Sequence, residues 1–135
     1  HFSNSQPYAD HNKLMFDESL NFINNLDSST HYFIYSHFIM PHRPYYSHGD
    51  FKRLPETMDN YIKYWSFTNE KIISYINQIN GFEKFKIIIT GDHGYRANEK
   101  KINPRMTMAA FYNFSVKELK YINNVQDIGN LLLIQ

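Results

Sequence analysis

Two stretches of the chain concentrate side chains that can do chemistry. One carries His37, Pro41, His42, Arg43, Pro44, Tyr45 and Tyr46, and the other runs Thr90, Gly91, Asp92, His93, Gly94, Tyr95 and Arg96. In the second, an adjacent carboxylate and imidazole offer the hard oxygen and borderline nitrogen that suit Zn²⁺ or Mn²⁺. The sequence has no cysteine, so any metal here is held by His, Asp or Glu. Neighbouring side chains on an extended backbone point to opposite faces, so a turn at Gly91 and Gly94 is needed to bring both donors to one side. Taken alone, the tetrapeptide is also an ordinary polar turn. An isoleucine run directly before it makes it the end of a strand.

In the first stretch, an imidazole can donate to a phosphoryl or sulfuryl oxygen, ligate a metal, or protonate a leaving group near neutral pH. Pro41 and Pro44 restrict the backbone on either side of His42 and Arg43, which lowers the entropy lost in holding both toward an anion. A lone histidine more often satisfies a backbone carbonyl, but His37 and His42 together at the end of one apolar run favour function. His11, His31 and His48 read as surface or structural.

The elements that must position these groups follow from periodicity. Phe16, Leu20 and Ile23, widened by Met15, Phe22 and Leu26, predict an amphipathic helix over 13–26. A polar turn over 27–30 leads to a buried strand over 31–38, whose residues His31, Phe33, Tyr35 and His37 share one face. A proline- and glycine-broken loop over 40–57 follows, long enough to suggest function. Asp59 then caps a second helix with Tyr61, Trp65, Thr68, Ile72, Ile76 and Ile79 on its apolar face, ended by Gly81. Residues 85–90 read as a strand covered on both faces, 91–105 as a second loop, 106–114 as a third strand, and 116 onward as helix with breaks near Asn123 and Gly129. This order predicts an α/β layered sheet, largely parallel, with flanking crossover helices. Ligands of such sheets gather beyond the carboxyl ends of the strands, where both stretches fall.

Bulk properties agree with a globular enzyme. The 135 residues are 42% hydrophobic and 17% aromatic, enough for one core and too few for two comfortable domains. A formal charge of +1 without a Lys or Arg run excludes the footprint of a nucleic-acid binder. No apolar stretch approaches the roughly 20 residues that span a bilayer. Residues 1–10 lack the layout of a signal peptide and the chain does not begin with Met, which points to a piece of something longer.

The succession of His37, the Pro41, His42, Arg43, Pro44, Tyr45 element, a long helix containing Tyr64 and Asn69, and the run from Ile87 through Asp92, His93 and Gly94 resembles the sulfatase-like hydrolases and transferases of the alkaline phosphatase superfamily. Membrane-anchored phosphoglycerol and phosphoethanolamine transferases belong to that group. The resemblance spans most of the chain and implies an alkaline-phosphatase-like layered fold, with 1–135 forming a single domain or fragment from the C-terminal portion of the catalytic domain. It implies that Asp92 and His93 ligate a divalent metal (Zn, Mn or Ca). His42 would contact substrate or a second metal, and His37 matches a histidine five positions earlier in some transferases. With Arg43, these are the expected substrate-binding residues for a sulfate or phosphate ester.

The family places an early acidic ligand and a Ser, Thr or Cys-derived nucleophile upstream, and neither is recognisable here. Asp10 stands too close to the first helix. The expectation is therefore a chain that is inactive alone and completed by a missing N-terminal part of the same protein. Extracytoplasmic location, with any membrane anchor outside this segment, is also implied by the resemblance. The rival expectation is a noncatalytic anion- or glycan-binding module, or a degenerate relative, with Tyr45, Tyr46, Arg43 and the histidines lining the cleft.

Overall fold

The first helix, α1 (Pro7–Asn24), starts well before residue 13, with Pro7 at its opening position where a missing N–H is not needed. A computed structural model describes residues 7–27, 29–48, 52–96, 103 and 105–132. Its backbone groups into two units, His1–Phe82 and Glu83–Gln135.

In the first unit, Phe16, Leu20 and Ile23 are half-buried as the periodicity predicts, whereas Phe22 is 54% exposed. The second helix, α2 (Met58–Asn77), is capped by Thr57, whose hydroxyl accepts from the Asn60 N–H at 3.3 Å. Asp59 instead lies in the first turn and pairs with Lys63 at 3.0 Å. Both are good capping types, and reach to the free N–H decides between them. The buried face of α2 centres on Tyr64, Phe67 and Thr68, with Tyr61, Ile72, Ile76 and Ile79 along it; Trp65 lies outside it at 42% exposure.

The two helices meet through specific polar and aromatic contacts. The Asn24 amide donates to the Gln78 carbonyl at 3.0 Å and accepts from the Asn80 N–H at 2.8 Å, which ties the end of α1 to the end of α2. The Tyr75 hydroxyl donates to Ser19 Oγ at 2.9 Å. Phe16 stacks on Phe38 with centroids 4.1 Å apart, and Tyr75 meets both rings edge-on. Aromatic contacts of this kind are each worth about 0.5–1.5 kcal/mol beyond area burial.

The turn after α1 forms as expected, with the Thr30 N–H bonded to the Asp27 carbonyl. The strand expected over 31–38 does not form. The backbone there is irregular, without ladder hydrogen bonds among the described residues. Its side chains still alternate: Phe33 and Tyr35 are 70% and 74% exposed, while Ile34, Ser36 and Phe38 are half-buried. The loop after it contains a small antiparallel hairpin of β1 (Tyr45–Tyr46) and β2 (Arg53–Leu54), with Tyr46 opposite Arg53.

In the second unit, β3 (Ile87–Thr90) pairs antiparallel with β4 (Ala109–Tyr112), Ile87 opposite Tyr112 and Thr90 opposite Ala109. The three isoleucines are half-buried and not fully covered. Ser115 and Glu118 form a capping box at the one-turn helix α3 (Val116–Leu119). Past it the chain continues as a 3-10 helix over Val125–Leu132, where the Asp127 carboxylate accepts from the Asn123 and Asn124 N–H groups. The expected break near Asn123 is present; Gly129 interrupts nothing.

The protein is therefore mixed α/β with helices and two-stranded antiparallel sheets among the described residues. The largely parallel arrangement expected from element order is absent there: both described pairs, β1–β2 and β3–β4, run antiparallel. No described helix is long and apolar enough to cross a membrane.

Candidate functional site

Each unit carries one of the two chemical stretches. In the second unit, β3 ends at Thr90 and the chain turns at once. Its first turn is tied back by the Gly91 N–H, which donates to the Met108 carbonyl at 3.2 Å. The glycines matter for close approach and not for left-handed backbone, since Gly81 is the glycine with positive φ among the described residues. A Cβ on Gly94 would lie 2.0 Å from the Met106 carbonyl oxygen, and one on Gly91 would lie 2.4 Å from the Thr107 hydroxyl.

That packing orients His93. Its Nδ1 lies 2.6 Å from the Gly94 carbonyl oxygen, and because a carbonyl only accepts, Nδ1 carries the proton. The other ring nitrogen, Nε2, lies 3.7 Å from Asp92 Oδ2. The two donors thus face the same space, as the proposed turn requires. Two ligands each about 2 Å from one zinc ion are separated by a similar distance. Asp92 is 77% exposed and His93 23%, so the pair opens to solvent on the carboxylate side. A backbone-bonded Nδ1 is also the usual way a metal-ligating histidine is held in its tautomer. No group of three or more metal-capable side chains occurs among the described residues. The loop residues 97–102 and 104 lie outside the described residues.

In the first unit, His42 shows the same local device. Its Nδ1 donates to the Arg43 carbonyl oxygen at 2.5 Å, which leaves Nε2 outside that bond. Its ring packs edge-on against Tyr8 of α1, centroids 5.7 Å apart. The peptide bonds before Pro41 and Pro44 are both cis and bracket His42 and Arg43. Arg43 donates from Nη1 to Glu56 Oε2 at 3.3 Å. His37 is engaged differently: its Nδ1 lies 3.0 Å from the Tyr35 hydroxyl, with the rings at 84°. The expected shared face of Tyr35 and His37 is present, and His42 meets Tyr8 where His37 meets Tyr35.

Tyr45 and Tyr46, expected at a cleft in the binding-module reading, are core residues at 2% and 3% exposure. They pack against Tyr64 of α2, which is itself 1% exposed. Burial pushes the Tyr46 phenol up from its ordinary pKa, Arg53 opposes the shift, and Asp10 and Tyr8 add to it. Burial also pushes Tyr64 up, and its hydroxyl has no hydrogen-bond partner among the described residues. His11 and His31 are exposed, and exposed His48 pairs with Glu70 at 3.3 Å while packing edge-on against Phe67.

Three residues near these sites escaped the sequence reading. Asn12, 3% exposed, bonds both backbone groups of Ile39 and so anchors the chain just before Pro41. Its signal is positional: it lies four residues before Phe16, inside the apolar stripe of α1. Arg53 and Glu56 join Arg43 in an ion-pair cluster, for which the sequence offers only their three-residue spacing. No family model, curated protein or solved structure matches this chain.

Proposed function

We propose that this chain is part of a metal-dependent phosphate or sulfate ester hydrolase or transferase, of the sulfatase-like kind its motifs resemble, with an alkaline-phosphatase-like layered sheet in the complete domain. In this reading Asp92 and His93 are two ligands of a divalent metal, Zn, Mn or Ca. His42 and Arg43, with His37 as a further donor, bind the tetrahedral anion of the ester. An upstream part of the protein supplies the nucleophile and the remaining acidic ligand, and the site works outside the cytoplasm.

The observation that supports this reading is the local geometry at the end of β3. A carboxylate oxygen and an imidazole nitrogen stand 3.7 Å apart, the imidazole held by its bond to the Gly94 carbonyl. An ordinary polar turn needs neither the fixed tautomer nor the converging donors. When bound, the metal supplies charge neutralisation at the nonbridging oxygens and lowers the pKa of a nucleophile. The chain's own part is to hold the donors open and to present His42 Nε2 and the Arg43 guanidinium to an anion.

The deciding experiment is calorimetric titration of Zn²⁺ and Mn²⁺ into the protein and its Asp92→Ala and His93→Ala variants. Each substitution is expected to weaken binding about tenfold or more. Unchanged affinity in both removes the metal site and the reading with it.

A further inference from the structure

Glu56 lies between two guanidinium groups: Arg43 Nη1 is 3.3 Å from its Oε2, and Arg53 Nη2 is 3.5 Å from its Oε1. The two arginines come from opposite limbs of the hairpin. Arg43 stands just before β1 and Arg53 in β2 facing Tyr46, so strand pairing sets the gap between them. The ladder is itself seated on the core by Tyr45 and Tyr46. His42 adjoins Arg43 in the chain, and its ring packs on Tyr8. Contacts of both guanidiniums run to Glu56.

A carboxylate held between two guanidinium groups, one nitrogen of each within ion-pair distance, occupies a place that a tetrahedral oxyanion can take. Exposed ion pairs contribute little individually, and all three side chains are at least 42% exposed, so Glu56 can swing aside at small cost. We propose that Arg43 and Arg53 clamp the phosphoryl group of a phosphate monoester, and that Glu56 is the resident counter-ion which that group displaces. This deepens the ester hydrolase or transferase reading and rests on it for the ester's role as substrate. Charge selects the class. With Glu56 displaced, two fixed positive charges face the anion, matching the charge of about −1.5 to −2 on a phosphate monoester at pH 7. A sulfate monoester or a phosphodiester brings only one. His42 Nε2, free of the backbone, is available to the same group.

The test titrates phenyl phosphate, phenyl sulfate and diphenyl phosphate into the metal-free protein, following the side-chain Nε–H resonances of the arginines. Phenyl phosphate is expected to shift Arg43 and Arg53 together and to bind roughly tenfold more tightly than either monoanion. Glu56→Gln removes the competing carboxylate and should tighten phenyl phosphate roughly three- to tenfold. Arg53→Ala should weaken it by a similar factor, and Arg53→Lys should recover only part because the fork is lost.

Glu56→Gln leaving affinity unchanged or weaker overturns the counter-ion role. Equal affinity for phenyl sulfate or diphenyl phosphate overturns the monoester assignment, and shifts at neither arginine overturn the clamp. Thermal melts of the variants separate a lost site from a lost fold. Metal titration of the same samples separates the two readings: intact metal binding with no clamp sinks the clamp alone, and an intact clamp with no metal binding sinks the metal-dependent reaction alone.

Discussion

The side-chain amide of Asn12 closes a two-bond ring with the backbone of Ile39, its Nδ2 donating to the Ile39 carbonyl at 2.9 Å and its Oδ1 accepting from the Ile39 N–H at 2.6 Å. An amide offers one donor and one acceptor in the plane of a peptide group, so it stands in for the neighbouring strand that residues 31–40 lack. The loop bearing His42 begins two residues later.

Replacing Asn12 by Leu should therefore leave two backbone groups of half-buried Ile39 without the bonds Asn12 supplies. The expected loss is about 2–4 kcal/mol, seen as a lower urea midpoint with little change in slope. Asn12→Asp, which keeps the acceptor alone, should fall between. A Leu variant as stable as the parent means the ring is not formed in solution.

Gly94→Ala places a Cβ against the Met106 carbonyl, a backbone atom that cannot rotate away. Destabilisation of about 1–3 kcal/mol is expected, with weaker Zn²⁺ and Mn²⁺ binding because His93 shifts with its anchor. Gly91→Ala meets a side-chain hydroxyl, which can turn, and should be milder. Denaturation and metal titration of both variants check the order.

Tyr64→Phe deletes a buried hydroxyl that has no hydrogen-bond partner among the described residues. Stability should stay level or rise by up to about 1 kcal/mol, whereas Tyr64→Ala empties the core at a loss of about 3–5 kcal/mol. A destabilised Phe variant, measured by thermal melting, reveals a bonding partner for the phenol.

Glu118 is held at about 2, below its ordinary 4.5, first by the Lys86 ammonium and then by the Ser115 backbone and hydroxyl. The unfolded chain then binds the extra proton first as pH falls, so this carboxylate's contribution is complete above 4.5 and declines from there toward 2. Glu118→Gln should flatten that acid limb and lower stability evenly above it, where the carboxylate's contribution is complete. Acid titration of the Glu118 carboxyl carbon signal and of the melting temperature in both proteins tests this.

Much of the local structure is legible from spacing. The apolar period of 58–77 marks α2, the isoleucines mark β3, and the Asp-His pair at its end has the converging geometry that its flanking glycines suggest. The cap of α2 was legible only to within two residues, since Thr57 and Asp59 are both competent. The run over 31–38 carries strand chemistry in every residue and forms no ladder, because a strand is completed by its neighbour and not by its own composition.

The amino-acid order by itself determined where α2 and β3 run and which donors lie beside each other at Asp92 and His93, because these depend on residues a few positions apart. Tertiary structure alone decided that Asn12 meets Ile39, that Glu56 stands between Arg43 and Arg53, and that Tyr45 and Tyr46 are core and not cleft. Those outcomes join residues distant in the chain, and they are settled by which surfaces exclude water together and which buried polar groups must find a partner.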